Sequence, residues 1–256
     1  MTKKQKNKTI EDKDETIIEM APIIKEKYTK LFLIISLTLS SLSIVLMIFF
    51  FIWFSSNDFE KKIYQEIRSF GGVVIADEVQ SGFGRLGDQM WAYQDDAVVP
   101  DIVTMGKPMG NGHPVSALLT HRELIESLDQ AYNGNSYFNT FGGNPVSAAA
   151  ALSVLDIIEE DSLIDQAGRV GGYLKKQLRN TLQNKESVVE IRGKGLFLGI
   201  ELDDPSKTAK TMEEMMRQGV LVGKTGPTNN VIKLRPSMTF KKEHADLLVE
   251  KLNQCL

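Results

Sequence analysis

The sequence predicts an α/β protein: a first folded part built on a parallel sheet, then a smaller α+β unit, preceded by one N-terminal hydrophobic helix. Three observations carry that reading. Val73-Val74-Ile75-Ala76 leads directly into Asp77-Glu78 and a glycine-rich turn, the pattern of a buried parallel strand delivering a carboxylate at its C-terminal end, where α/β proteins bind ligands. A second apolar run, Ile102 to Met105, ends in Gly106-Lys107-Pro108. Beyond Ile158 helical patterns alternate with few strands, as in an α+β unit.

Composition narrows the classes. The chain has 256 residues, 42% hydrophobic and 25% charged, with net charge −3. Such a balance lacks the basic excess of a nucleic-acid binder, so no nucleic acid is expected as a partner. Cys255 is the single cysteine, which excludes a disulfide framework and a cysteine metal site. His113, His121 and His244 are scattered without ligand spacing, so no metal is expected.

Residues 1–30 are rich in Lys, Glu, Asp and Thr and read as a polar, disordered segment. Residues 31–54 contain no charge, and at 1.5 Å per residue they are long enough for a bilayer core of about 30 Å. Trp53 and the neighbouring phenylalanines suit an interfacial belt. The expectation is a single-pass membrane helix; a signal-peptide core or a buried helix is the plainer alternative, and both are usually shorter. Lysines and arginines flank it on both sides and leave its orientation open.

Asn57 to Phe70 predicts a short amphipathic helix with Phe59, Ile63 and Ile67 on one face. Gly71-Gly72 ends it, and the strand begins at Val73. Met90, Trp91 and Tyr93 suggest a short packed helix, Val115 to Thr120 another strand, and Arg122 to Leu128 a helix. Asn135 to Asn144 is a polar, aromatic, glycine-rich loop. Pro145 opens an alanine-rich helix with Asn144 as N-cap. A helix follows over Ser162 to Leu182. Val188 to Ile191 and Leu196 to Leu202 bracket Arg192-Gly193-Lys194-Gly195 as a hairpin. Lys207 to Arg217 is helical, Val220 to Val222 and Val231 to Leu234 are strands, and Lys241 to Leu252 is the last helix. The first folded part thus spans 55–158 and the second 159–256.

Asp77, Lys107 and the Thr140 loop suggest one chemistry. A partly desolvated amine has a lowered pKa and attacks an aldehyde. A carboxylate fixed at a strand end holds a pyridine nitrogen protonated. A loop with Thr140 and Gly142-Gly143, followed by a helix N-terminus, offers donors to a phosphate. Those are the three requirements for holding pyridoxal phosphate. Singly, each element has a plainer reading: a surface acid pair, a solvated lysine, a helix cap. Their order along the chain is more specific than any part.

The stretch VVIADEVQSGFGRLG, followed by PDIVTMGKPMGNG, resembles the class III pyridoxal-phosphate-dependent aminotransferases of fold type I. The likeness continues through YFNTFGGNPVSAAAALSVLDIIEE, RGKGLFLGIEL and KLRPSMTF, from Gly71 to about Leu252. Its texture is that of the alanine–glyoxylate aminotransferase 2-like group and its ethanolamine-phosphate phospho-lyase relatives. The resemblance implies part of a fold type I large domain followed by the small C-terminal domain. It implies that Lys107 condenses with the cofactor and later moves the proton. It implies also that Asp77 pairs with the ring nitrogen, Val79 packs on the ring and Gln80 bonds its phenolic oxygen. Thr140 matches the hydroxyl that binds phosphate, usually in the neighbouring subunit, so a homodimer follows. The expected reaction moves an amino group from a small amine or amino acid to an oxo-acid. Phosphate elimination from an amino-alcohol phosphate is one alternative. A membrane-anchored homologue without catalysis is another. The family is otherwise cytoplasmic or mitochondrial.

Two departures from the family pattern stand out. Lys233 occupies the place of an arginine that clamps the substrate carboxylate, and Arg235 lies two residues on; a lysine lacks the bidentate fork. The two form a basic pair suited to carboxylate or phosphate, or simply point to solvent. Residues 1–70 contain no glycine, so the family's early Gly-Ser/Thr phosphate loop is not expected there, and a sheet without its first strands should expose an apolar edge and face.

Overall fold

Two small sheets frame the chain, and the ends of their strands approach one another at a single cavity. The structure, a computed structural model, describes residues 59–95, 98–134 and 138–256. The polar segment 1–30 and the hydrophobic helix expected at 31–54 lie outside the described residues. Among the described residues, no helix is long and apolar enough to cross a membrane.

Helix α1 (Phe59–Ser69) precedes strand β1 (Ile75–Asp77). Arg68 on α1 donates from Nε to both carboxylate oxygens of Asp101, at 3.0 and 3.2 Å, and from Nη2 to the Val99 carbonyl at 2.6 Å. The Val74 N–H donates to Asp101 Oδ2 at 2.8 Å. One carboxylate thus gathers the helix, the entry to β1 and the entry to β2 (Ile102–Met105). Strands β1 and β2 are parallel, as expected, with Asp77 opposite Thr104. Strand β3 (Ala117–Thr120) pairs antiparallel on the other side of β2, giving the order β1-β2-β3.

Strand β1 differs from its expected form. It is three residues long, starting at Ile75 rather than Val73, and only one of its faces is buried. Val74 is buried whereas Val73 and Ile75 are exposed, as side-chain alternation along an extended backbone dictates. Leu118 and Leu119 of β3 are exposed too, so the sheet has the apolar open surface anticipated for it. The helix expected around Met90–Tyr93 is a single 3-10 turn, Ala92–Gln94.

Helix α2 (Arg122–Ala131) leads towards the loop before α3 (Pro145–Glu160). Asn144 caps α3 as predicted: its Oδ1 accepts the Ser147 N–H at 2.9 Å, with Pro145 in the first turn. Ile158 of α3 and Leu163 of α4 (Leu163–Leu182) share a core with Phe83, Val103 and Met105.

Further along α4 the core changes. Leu174, Leu178 and Leu182 recur every fourth residue on one face, are fully buried, and meet Ile191, Leu198, Ile200 and Ile232. Each such leucine contributes about 2 kcal/mol of apolar burial. The second sheet contains β4 (Val188–Lys194), β5 (Phe197–Leu202), β6 (Gly223–Thr225) and β7 (Val231–Leu234) in the order β4-β5-β7-β6, all antiparallel. Helices α5 (Pro205–Arg217) and α6 (Lys242–Cys255) complete it.

The strand expected at Val220–Val222 begins later, at Gly223, because Val220 is spent on ending α5. The Val220 N–H donates to the Met215 carbonyl at 2.8 Å and the Gly219 N–H to Met216 at 3.0 Å, with Gly219 at φ +80°. This is a Schellman closure, which turns the chain before it can pair.

Glycines let the two sheets' elements touch by backbone. A Cβ at Gly171 would lie 2.1 Å from the Gly195 carbonyl oxygen, and one at Gly195 would lie 2.4 Å from the Leu86 backbone. The Leu196 N–H donates to the Arg85 carbonyl at 3.0 Å. The turn after β1 is therefore held between α4 and the β4–β5 hairpin.

Candidate active site

Asp77 and Lys107 stand at the C-terminal ends of neighbouring parallel strands. Asp77 closes β1, and its carboxylate lies on the open side of the sheet. Its Oδ1 accepts the Val79 N–H at 3.1 Å and the Thr104 hydroxyl at 3.4 Å, and Thr104 is its partner across to β2. Lys107 follows β2 by two residues, opening a 3-10 turn (Lys107–Gly110) with φ +26°. A positive φ is costly for a residue with a side chain, and here it accompanies an exposed side chain directed to the site.

Glu78 goes the other way. It is 2% exposed; Oε2 accepts the Ser81 hydroxyl at 2.7 Å and Oε1 the Tyr93 N–H at 2.9 Å. Alternation along the strand end separates two adjacent acids into an open carboxylate and a buried one that braces the turn. Sequence reasoning assigned Glu78 no such role, although a charged residue after an alternating strand is a signal for it.

A cavity of about 590 Å³ lies beside Lys107. Val79, Gln80 and Lys107 line it, as does Arg235 from the chain leaving β7. Val154 and Ile157 of α3 give it an apolar wall. Arg235 Nη1 donates to Gln80 Oε1, and the guanidinium sits 5.5 Å from the centre of the Phe197 ring, a cation–π distance. Arg85 also lines the cavity, and its Nη1 donates to the Pro236 carbonyl. Burial, reinforced by the charge of Arg235, pushes the Arg85 guanidinium below its ordinary pKa. Sequence reasoning missed Arg85 as a site residue; its signal was the arginine ending the Gly-Phe-Gly-Arg turn.

Three expected site residues do not line this cavity: Asp77, whose carboxylate lies on the open side of β1, Lys233 and Thr140. Lys233 lines a separate cavity of about 550 Å³ beside Val220, Gly223 and His244, and only Arg235 of the basic pair reaches both. Strand alternation places Lys233 and Arg235 on one face, yet Lys233 extends over Gly223, where no side chain blocks it: its Cε lies 3.2 Å from the position of a Cβ there. Thr140 is exposed on the turn before α3 and lines neither cavity. The loop carrying Lys107 reaches α3 instead through His113 Nε2 and Ser147 Oγ, 2.8 Å apart.

The residues present fit pyridoxal phosphate by their chemistry. An exposed amine and an exposed carboxylate occupy adjacent strand ends, and the amine shares a cavity with an apolar side chain (Val79) and an amide (Gln80). Among the described residues no group of His, Cys, Asp and Glu is arranged to hold a metal ion.

Comparison with known proteins gives the family. The family described as Aminotransferase class-III matches residues 52–256. An alanine–glyoxylate aminotransferase 2-like protein of Drosophila melanogaster is 45% identical over 203 residues, covering 76% of this chain and 41% of that protein. A solved Arthrobacter phospholyase in complex with phosphoethanolamine is 45% identical, with a TM-score of 0.71, covering 76% of this chain and 47% of that one. A solved amine transaminase from an uncultivated Pseudomonas species, in its pyridoxal-phosphate-bound form, is 31% identical with a TM-score of 0.70, covering 78% and 47%. The chain spans roughly two-fifths of the length of the curated relatives it matches.

Proposed function

The chain belongs to the class III aminotransferase family, and on that premise we propose that it acts as a pyridoxal-phosphate enzyme moving an amino group from a small amine or amino acid to an oxo-acid. The observation that carries this reading is the placement of Asp77 and Lys107 at neighbouring parallel strand ends, with Lys107 sharing its cavity with Val79 and Gln80. When bound, the cofactor supplies an aldehyde that takes up amines and a pyridinium ring that accepts electrons.

Lys107 would hold the cofactor by its aldehyde end, and its amine, exposed at the cavity, would serve as the base that moves the proton at the substrate Cα. Asp77 keeps the ring nitrogen protonated, its Oδ1 steadied by Val79 and Thr104. Val79 supports one ring face. Because Arg235 engages the Gln80 carbonyl oxygen, the amide nitrogen of Gln80 is left to donate to the ring's phenolic oxygen. Thr140, away from this cavity, serves the phosphate of a second copy in a homodimer. Residues 31–54 anchor the chain to a membrane, which alkaline carbonate extraction checks: release into the supernatant overturns that assignment.

A second reading, phosphate elimination from an amino-alcohol phosphate, is favoured by the 45% identity to the phosphoethanolamine-bound phospholyase. Both readings share one test. Purified chain incubated with pyridoxal phosphate and then borohydride should carry the cofactor on the peptide containing Lys107. An unlabelled but folded wild-type chain overturns both and leaves the non-catalytic homologue.

A further inference from the structure

The turn that carries Lys107 is strained, and a side-chain hydrogen bond ties its far end to a helix. Lys107, Asn111 and Gly112 have φ of +26°, +45° and +110°, and two of them bear side chains for which that region is costly. Such backbone persists only where its surroundings over-determine it. Inside the turn the N–H groups of Met109, Asn111 and His113 donate to the carbonyls of Gly106, Pro108 and Gly110 at 2.8, 3.1 and 2.9 Å. Met109 packs against the core, whereas nothing lies within 4 Å of a Cβ added at Gly112. Among the described residues, the only side-chain hydrogen bond made by residues 106–113 is that of His113 Nε2 with Ser147 Oγ on α3, at 2.8 Å.

The polarity of that bond is fixed from α3. The Ser147 N–H can only donate, and Asn144 Oδ1 accepts it at 2.9 Å. The other end of the same amide, Nδ2, therefore donates, to Ser147 Oγ at 2.9 Å and to the Phe141 carbonyl at 2.8 Å. With its oxygen accepting from Asn144, the Ser147 hydroxyl has its own hydrogen to give to His113 Nε2, and the ring proton sits on Nδ1. Every link of this chain has its partner, so the helix cap sets the place of the histidine. We propose that His113 is a positioning residue for Lys107: by accepting from Ser147 it pins the strained turn, and the turn presents the amine at the cavity shared with Val79 and Gln80. His113 does not line that cavity and acts through the backbone between 107 and 113. What Lys107 then does rests on the proposed pyridoxal-phosphate reading; the tether itself needs no cofactor.

Hydrogen exchange of the full chain, without cofactor, tests the tether first. His113→Phe keeps a ring and loses the acceptor, and Ser147→Ala loses the donor. Each should speed exchange of the amides of residues 109, 111 and 113 about fivefold, the factor expected for one hydrogen bond. The double variant should be no faster than either single one, because both remove the same bond. Amides of α4 should exchange as in wild type; equal acceleration there would make the effect a general loss of stability and overturn the proposal. His113→Gln, whose side-chain carbonyl can accept from Ser147, should restore slow exchange. Labelling reads the consequence for Lys107. Fixed with borohydride at equal early times after adding pyridoxal phosphate, Lys107 should carry about fivefold less cofactor in His113→Phe and Ser147→Ala, and near wild-type amounts in His113→Gln. If His113→Phe does not fold, Ser147→Ala and His113→Gln carry both measurements. Unchanged exchange in folded Ser147→Ala, or faster exchange with unchanged labelling, would each overturn the proposal. Wild type that takes no cofactor defeats the enzymatic reading alone, and exchange still upholds or overturns the tether.

Discussion

Arg235 donates a hydrogen bond to the side-chain oxygen of Gln80 across 155 residues of sequence. The contact joins the exit of the last strand to the turn after the first, and it sets which end of the Gln80 amide is free. Replacing Gln80 with Glu keeps the acceptor and adds a charge beside both arginines. Q80E should therefore raise the melting temperature slightly through a closer ion pair. Differential scanning calorimetry reads the effect; an unchanged or lower melting temperature would mean that the added charge does not strengthen the contact.

Lys107 separates covalent capture from cofactor affinity. Lys107→Ala should abolish borohydride-stable labelling while leaving the chain folded, and any amino-transfer rate should fall by at least about 10²–10⁴, the range of a lost general base. Labelling that persists on another lysine in K107A would move the reactive amine elsewhere.

The neighbouring acids of the Asp77-Glu78 pair should respond in opposite ways. Glu78→Leu strands the Ser81 hydroxyl and the Tyr93 N–H in a nearly closed site, costing about 2–3 kcal/mol. Glu78→Gln keeps one acceptor for Tyr93 and a donor that the Ser81 oxygen accepts, costing on the order of 1 kcal/mol. Asp77→Asn, on the open side, should leave denaturant midpoints unchanged while impairing the chemistry. An equal stability loss in D77N and E78Q would contradict the separation.

Much of this arrangement was legible in residues whose role is set locally. The parallel pairing of β1 and β2 and the strand-end positions of Asp77 and Lys107 followed from short apolar runs ending at polar residues. The Asn144 cap followed from Asn-Pro before an apolar helix. What escaped depends on partners distant in sequence. Nothing near Lys233 reveals that Gly223 on the next strand leaves room for it to lie towards a different cavity. Nothing near Arg85 places it beside Arg235. The open face of β1 shows the limit of the local rule, since an apolar run has the same appearance whether or not its second face is covered.

Asp101 predicts a pH dependence. Burial pushes its carboxyl upward, but the hydrogen bonds from Arg68 and Val74 and the Arg68 charge outweigh that effect and hold it below the ordinary carboxylate value. A depressed native pKa means that the unfolded chain binds the proton more readily. The contribution is therefore complete above the unfolded value near pH 3.9 and is lost as pH falls through the native value. Asp101→Asn should cost on the order of 1 kcal/mol at neutral pH after solvent screening, with the gap from wild type closing below about pH 4. Urea midpoints across that range check it; a gap constant down to pH 2 would remove Asp101 from the account.

The glycine contacts predict opposite signs for adjacent substitutions. At Gly171 an added methyl would sit 2.1 Å from the Gly195 carbonyl oxygen, and that oxygen belongs to backbone already pressed on Leu86. Neither side has a flexible end to yield, so α4 must move off the hairpin. Gly171→Ala should then cost about 3 kcal/mol or more. At Gly172, one residue on in the same helix, nothing lies within 4 Å of the added methyl. There only the helix preference remains, and Gly172→Ala should gain about 0.5–1 kcal/mol. The displacement in G171A would also shift the Arg85 backbone, which accepts from Leu196 beside Gly195. Denaturation of both variants reads the contrast. Equal stability changes would mean that the close approach is looser than the backbone distances require.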